Sequence, residues 1–553
     1  MNHSSIKVTF PSGKTEQVQF YTQISSLLPF FEEDSDKILA VRINNEVCSL
    51  DSNIEFNCKL EPIFINTKDG ASIYRRSLCL LLATAAYNLF PNSHLLVGHS
   101  LGHGYYYTLD TGNPITEEQI IALEKEMKRL VEENLPVTTK IISYEEAIDL
   151  FEKLNLTETR KQLNFVSPQK IRVNSINNFS DMYFGPLVSS TGTLKVFSLM
   201  KYGEGFLLRF PKSNDHSKLT TFEDQPKLFG IYKKYKQWGK QLEVTSAASL
   251  NELIINRKIE DFIDITETFQ EKCIADIADQ IAASKKVKVI LIAGPSSSGK
   301  TTTSKKLALE LRAIGYKPKI ISLDSYYVGR DRNPKDENGN YDYECLEALD
   351  IKLLNENLMD LFDGKEVNIP SYDFNDGVQF FEDKNKMKLE SNDILIMEGI
   401  HGLNDKLTPL IPNELKFKIY LSALTQLNLD NHNRISTSDN RLIRRIVRDS
   451  RFRGKSAAKT ISMWPSVHKG EELHIFPFQN NADAILNTAL DYELSVLKIY
   501  AEPLLRCVNP TQKEYAEACQ LLSFLNNFAT IPPTAVPPKS IIREFIGGSA
   551  FKY

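Results

Sequence analysis

Cysteine is sparse and badly spaced for cross-linking. The seven cysteines (Cys48, Cys58, Cys79, Cys273, Cys345, Cys507 and Cys519) are odd in number and scattered, and none forms a C-x-x-C pair. That argues against a disulfide frame and a zinc knuckle, and it points to reduced thiols in a cytosolic protein. Long apolar runs are also missing. The longest, around residues 78–86, is too short to cross a bilayer, so no membrane partner is expected. The first residues lack the basic-then-apolar pattern of a secretion signal, which makes a soluble cytoplasmic protein the expectation. An excess of either charge is absent: 66 Lys and Arg stand against 70 Asp and Glu, with a formal net charge of −4. Such a balance gives no bulk pull toward nucleic acid or an anionic surface. There is no internal repeat and no long low-complexity tract.

At 553 residues the chain exceeds what one core supports, and three or four domains are expected. Residues 5–66 alternate as strands do. Ile6, Val8 and Phe10 share a face, a turn follows at Pro11-Ser12-Gly13-Lys14, and residues 38–43 form a strand closed by Asn44-Asn45. Residues 77–89 read as a helix and 194–199 as a strand. Helical spacing marks 251–263, 269–283 and 512–528. From about 287 to 498 apolar strands alternate with helices, which argues for a parallel sheet wrapped by helices. His99 and His103 are four apart, but Gly98, Gly102 and Gly104 break any helix there, so a turn between strands is expected, with a small-ligand or metal role as the alternative.

The most informative stretch is Gly294-Pro295-Ser296-Ser297-Ser298-Gly299-Lys300-Thr301, between an apolar run at 287–293 and a helical pattern at 302–314. A strand, a glycine-bounded loop and Lys-Thr at a helix start make a phosphate cradle. Backbone N–H groups and the helix N-terminus, through Thr302, face the anion. Lys300 reaches the outer phosphates and the Thr301 hydroxyl can ligate Mg²⁺.

Further on, Asp324 closes the apolar run 319–323, at the strand edge where ligands gather in open α/β sheets. It is the candidate general base. Of the acids Asp342, Glu344, Glu347 and Asp350, Asp342 is the candidate for a ribose diol, while the other three read as helix-start or surface acids. Tyr372 could pack on a base or donate to a sugar; the plain alternative is that Tyr372 and Phe374 pack the sheet edge. Glu398 ends the buried run 394–397 and is the candidate for holding water on Mg²⁺. Seven basic residues fall between 441 and 455. So late behind a phosphate loop they read as a lid of arginines over the phosphates, with a nucleic-acid patch or a solvated helix as alternatives.

Together, G-P-S-S-S-G-K-T at 294–301, L-D-S-Y-Y at 323–327, Y-D-Y-E at 341–344, P-S-Y-D-F at 370–374, M-E-G-I at 397–400 and R-R-I-V-R-D-S-R-F-R-G-K at 444–455 resemble the uridine kinase branch of the phosphoribulokinase/uridine kinase family. The resemblance implies a P-loop α/β kinase fold. It also implies transfer of the γ-phosphoryl of ATP or GTP, with Mg²⁺, to the 5′-hydroxyl of uridine or cytidine. Asp324 then matches the base. Asp342 and Tyr372 match nucleoside contacts, Arg445 matches an arginine near nucleoside and phosphates, and Arg448 and Arg453 match lid arginines. Two departures stand out. Gly377 occupies the place of a pyrimidine-reading histidine, and the lid ends Arg453-Gly454-Lys455 instead of Arg-Gly-Arg.

Ahead of the kinase, residues 1–66 resemble the β-grasp TGS domain of threonyl-tRNA synthetases. Residues 67–235 resemble the α+β editing domain of threonyl- and alanyl-tRNA synthetases. That family's ligand positions fall here on Arg76, Leu80, Tyr183 and Leu187, so no editing hydrolysis is expected. The expected order is completed by a helical linker at 236–285, the kinase domain at 286–500, and a C-terminal helix and tail at 501–553. The expected ligands are a nucleoside and a nucleoside triphosphate; nucleic acid is not expected, and a homo-oligomer is left open. The rival readings are a kinase of another small-molecule alcohol, and a non-catalytic ATP sensor whose front half binds tRNA or an amino acid.

Overall fold

The computed structural model describes residues 5–32, 37–337, 339–374 and 376–552. The chain divides into two compact units, each discontinuous in sequence. The first is Met1–Arg257, Thr425–Ser436 and Glu502–Thr530; the second is Lys258–Leu424, Thr437–Ala501 and Ile531–Tyr553.

In the first unit Ser5–Thr9 pairs antiparallel with Thr15–Gln19 and parallel with Cys58–Phe64, within a five-stranded sheet that also holds Ile38–Ile43 and Glu46–Cys48. Ile6, Val8 and Phe10 are buried on one face. The Asn44-Asn45 turn takes φ of 46° and 70°, the left-handed values that let a two-residue loop match strand twist. A 22-residue helix, Lys68–Leu89, follows. Its N-cap Thr67 accepts the Gly70 N–H at 3.0 Å. A Cβ at Gly70 would lie 1.9 Å from the Phe64 carbonyl oxygen, so glycine lets the helix start hard against the preceding strand. The run from Ser77 to Ala86 is buried all round, which fits a central helix, not a surface one. A four-stranded antiparallel sheet contains His94–Ser100, Gly104–Asp110, Gly205–Arg209 and Ser198–Tyr202.

Several expected elements differ in extent; the helix expected at 77–89 already begins at Lys68, and that expected at 512–528 is Tyr515–Leu525. The strand expected from 194 begins at Ser198, because Leu194 and Phe197 reach the core from irregular backbone after a short turn at Thr191–Thr193. The helix expected at 251–263 is two helices, Ala247–Ile255 and Ile259–Ser284; Arg257, at φ 58°, breaks the path while the apolar spacing continues.

The second unit is built on five parallel strands: β1 (Val289–Ala293), β2 (Lys317–Ser322), β3 (Asp393–Glu398), β4 (Lys416–Ser422) and β5 (Ala484–Asn487), in spatial order β2-β3-β1-β4-β5. Every residue of the central β1 is buried, as expected of a strand covered on both faces. Helix α1 (Lys300–Ala313) follows β1. Helices α2 (Thr437–Arg453) and α3 (Ala457–His474) lie between β4 and β5 in sequence. The C-terminal edge of the sheet therefore presents the residues after β1, β2 and β3 together, at the crevice where open α/β sheets bind ligands.

Within the first unit, buried Asn251 ties the late segment to the early one. Its Nδ2 donates to the Asn527 carbonyl at 2.8 Å and its Oδ1 accepts the Ala529 N–H at 2.8 Å. Asn251→Ala removes the acceptor of the Ala529 N–H, while the Asn527 carbonyl keeps the Gln162 amide at 2.8 Å. It should cost about 1–3 kcal/mol, the penalty of one orphaned main-chain group, read as a lower urea midpoint.

Candidate active site

The loop between β1 and α1 is shaped by two left-handed residues, Ser297 at φ 60° and Gly299 at φ 82°. A Cβ on Gly294 would lie 2.5 Å from the Leu421 carbonyl oxygen, so that position accepts only glycine without a shift. A loop that turns N–H groups toward an anion turns carbonyls toward the protein, and those need donors. Each has one. Lys300 Nζ donates to the Gly294 and Pro295 carbonyls at 2.9 and 3.2 Å. Arg441 donates to the Ser296 carbonyl and Arg444 to the Ser297 carbonyl, both at 3.1 Å. The Thr488 hydroxyl donates to the Ser298 carbonyl at 2.7 Å. Buried Arg441 pairs with Glu471 and buried Arg444 with Glu493, so neither guanidinium is left uncompensated.

Three carboxylates meet beside this loop. Glu398, at the end of β3, accepts the Thr301 hydroxyl at 3.2 Å and the Ser322 hydroxyl at 3.1 Å through one oxygen. Burial, and then the charge of Asp324, push its pKa up to about 7 against the pull of Lys300. Asp324 stands in a short 3₁₀ turn, Leu323–Tyr326, just past β2. The third is Glu344, whose pKa is pushed up to about 7, first by burial; Arg445 and Lys300 pull it down, while Glu471 and Asp324 push it up. Glu344 fits because position 470 is glycine: a Cβ there would lie 2.4 Å from that of Glu344.

Asp342 is used differently. Its Oδ1 accepts the Glu344 N–H at 3.0 Å and so closes a turn at the start of this segment. The structure thus brings Glu344, read from sequence as a surface acid, next to Lys300 and Asp324, and gives the Asp342 carboxylate a turn-closing bond. Tyr372 lies on the hairpin Val367–Asp373/Val378–Met387, with ring centres 5.5 Å from Tyr327 and 5.0 Å from Phe374. Tyr327 in turn feels the charges of Asp324 and Glu344, so the aromatic cluster borders the carboxylates. At Gly377, φ is 72° and a Cβ would meet the Arg330 guanidinium at 2.7 Å.

Arg445, Arg448 and Arg453 sit along the C-terminal half of α2 and all face buried Asp449, at 3.3, 3.4 and 3.5 Å. Arg445 also donates to the Ser296 hydroxyl at 2.7 Å. Burial lowers the Arg448 pKa to about 10, with Arg453 adding to the effect. The basic stretch is therefore one regular helix, closed by Gly454 at φ 62°, with two arginines propping the loop and three gathered on one carboxylate.

Among the described residues no group of three or more His, Cys, Asp or Glu could hold a metal by itself. The Thr301, Ser322 and Glu398 oxygens fit Mg²⁺, which prefers a few protein oxygens and completes its shell with water and phosphate. Thr301 and Glu398 would hold it, in part through water.

In the first unit the four positions aligned with synthetase ligands lie together. Arg76 donates to the Pro186 carbonyl at 2.8 Å, and Leu80, Tyr183 and Leu187 are buried. His99 is a buried strand residue stacked on Tyr232, and His103 lies in the following turn.

Glu344 yields a pH test. Its folded pKa of about 7 lies above the ordinary 4.5, so the native state holds the extra proton between those values. Its contribution to stability is present at low pH and is lost as pH rises through 7. Glu344→Gln should melt about 1–3 °C above wild type at pH 8, with the gap closing toward pH 5; a variant melting no higher at pH 8 would contradict the placement.

Residues 289–495 match the model of the Phosphoribulokinase / Uridine kinase family. A threonine–tRNA ligase of Lawsonia intracellularis is 34% identical over 170 residues, covering 31% of this chain and 26% of that protein. One of Thermoplasma volcanium is 32% identical over 205 residues, covering 35% and 29%. The chain thus spans less than a third of the length of either ligase. The solved structure of a possible uridine kinase from Bacillus stearothermophilus is 19% identical, covers 42% of this chain and 100% of that one, and has a TM-score of 0.26. No helix among the described residues is long and apolar enough to cross a membrane. The chain joins a threonine–tRNA ligase-like N-terminal region to a P-loop kinase domain of the phosphoribulokinase/uridine kinase family.

Proposed function

We propose that the protein is an ATP- and Mg²⁺-dependent kinase that phosphorylates the 5′-hydroxyl of a pyrimidine ribonucleoside. The observation that carries this reading is the meeting of Lys300, Asp324, Glu344 and Glu398 at one sheet edge, beside Thr301 and the loop. A loop that only sensed ATP would have no use for the additional carboxylates.

In this reading the loop from Gly294 to Thr302 holds the triphosphate, with Lys300 leaving its carbonyl contacts for the outer phosphates. Asp324 takes the proton of the acceptor hydroxyl as the new P–O bond forms and the bond to the β-phosphate bridging oxygen breaks, releasing ADP. Bound Mg²⁺ would neutralise phosphate charge. Arg445, Arg448 and Arg453 supply positive charge on the opposite side, and Asp449 holds them in place. Glu344 takes the sugar-diol role, because its carboxylate lies near Lys300 and Asp324 while that of Asp342 closes a turn. Tyr372 and the rings around it form the wall for the base.

The Gly377–Arg330 pair supports a second reading. Where a histidine would face a pyrimidine, this chain has a glycine crowded by a guanidinium, which suits an acceptor with a different head group. The front region reads as a TGS-like sheet followed by an editing-type fold whose site is filled by Arg76, Leu80, Tyr183 and Leu187, so it serves as scaffold or regulator.

Lys300→Ala and Asp324→Asn should each reduce phosphoryl transfer at least about 100-fold with far-ultraviolet circular dichroism unchanged, in line with the size of acid–base and electrostatic contributions. Near-normal turnover by Asp324→Asn would remove it as the base. An acceptor screen read by ADP release should show uridine or cytidine preferred; activity only on non-nucleoside alcohols would select the second reading.

A further inference from the structure

The third helical residue of α1, Thr302, is buried at the end of the cradle where main-chain N–H groups meet phosphate. Both of its donors are engaged by the C-terminal segment. One carboxylate oxygen of Glu544 accepts the Thr302 N–H at 3.1 Å and the Thr302 hydroxyl at 2.6 Å. The backbone beneath Glu544 is firmly seated: Ile541, Ile542, Phe545 and Ile546 are buried, and the Arg444 guanidinium lies 5.1 Å from the centre of the Phe545 ring. Ile541 reaches the loop itself, since a Cβ on Gly299 would lie 2.7 Å from its methyl group. The Glu544 side chain alone, with three rotatable bonds, can move without unseating this segment.

We propose that Glu544 is a self-supplied anion on the phosphate cradle, an autoinhibitory contact that a nucleotide must displace. A carboxylate at a helix N-terminus with two hydrogen-bond donors mimics a phosphate oxygen. A nucleotide phosphate reaching Thr302 needs the same donors and cannot share them with a second anion. Glu544 also adds negative charge where Asp324 and Glu398 already lie, since its charge acts on Glu398. It has cations to turn toward, because its charge is also felt by Lys305 and Arg448. Displacement therefore moves Glu544 from the loop toward the groups that balance the triphosphate, and couples the C-terminal segment to nucleotide entry.

The inference rests on the loop's being a nucleotide site, so direct binding is the test, independent of any acceptor. Adenosine, ADP and ATP are titrated by calorimetry into the full-length wild type, Glu544→Gln and Glu544→Ala with Mg²⁺ present, and thermal midpoints are taken alongside. Glu544→Gln keeps an acceptor for Thr302 but loses the charge. It should bind ADP and ATP about 3- to 10-fold more tightly than wild type with adenosine unchanged, because the cost of juxtaposed like charges falls only on phosphates. Glu544→Ala should show the same gain even if loss of the cap lowers its midpoint. Equal or weaker ADP and ATP binding by both variants overturns the proposal and leaves Glu544 as a brace for α1. A gain equal for adenosine also overturns it. Absence of nucleotide binding in all three proteins overturns the kinase reading, and this inference with it.

Discussion

A backbone loop can offer its N–H groups to an anion only if its carbonyls are satisfied on the other side. That accounting organises the second unit. The carbonyls from Gly294 to Ser298 accept from Lys300, Arg441, Arg444 and Thr488, which come from α1, from α2 and from the end of β5. Placing two guanidinium groups in the interior is costly, and Glu471 and Glu493 offset it with bonds that leave neither charge alone. The cradle is thus held by a frame as highly charged as the ligand it suits.

The same economy explains the carboxylates. Glu398 and Glu344 are held at a pKa of about 7, near neutrality between the charged and uncharged forms, by burial and by the neighbouring Asp324. Such groups are poised to lose a proton when a cation or a cationic side chain comes near. The aromatic rings at Tyr327, Tyr343, Tyr372 and Phe374 pack on one another beside these carboxylates.

Much of this was legible before any coordinates. Asp324 and Glu398 follow from apolar runs that end in an acid, because strand ends of a parallel sheet converge at one edge. The loop follows from its glycines and its Lys-Thr. Glu344 did not follow, since Y-D-Y-E offers two acids on the same local pattern and only the fold brings Glu344 beside Lys300 and Asp324. Arg441 and Arg444 were visible as basic residues, yet their helical spacing from Arg445 and Arg448 does not say which face is buried. Glu471, Glu493, Thr488 and Glu544 carry no local signal at all, because their partners lie from 30 to 242 positions away in the chain. The front sheet was readable from alternation, while the share of the first unit contributed by residues 425–436 and 502–530 was not.

That interleaving has a consequence for synthesis. Asp181 and His432, 251 positions apart, are hydrogen-bonded at 2.6 Å inside the first unit, and Asn527 completes that unit later still. A nascent chain therefore cannot finish its front half and then start its back half. The earlier unit lacks its last segment until residue 530 has been made, and the phosphate cradle lacks Glu544 until later still. The two halves mature almost together, so a truncated product would leave both incomplete.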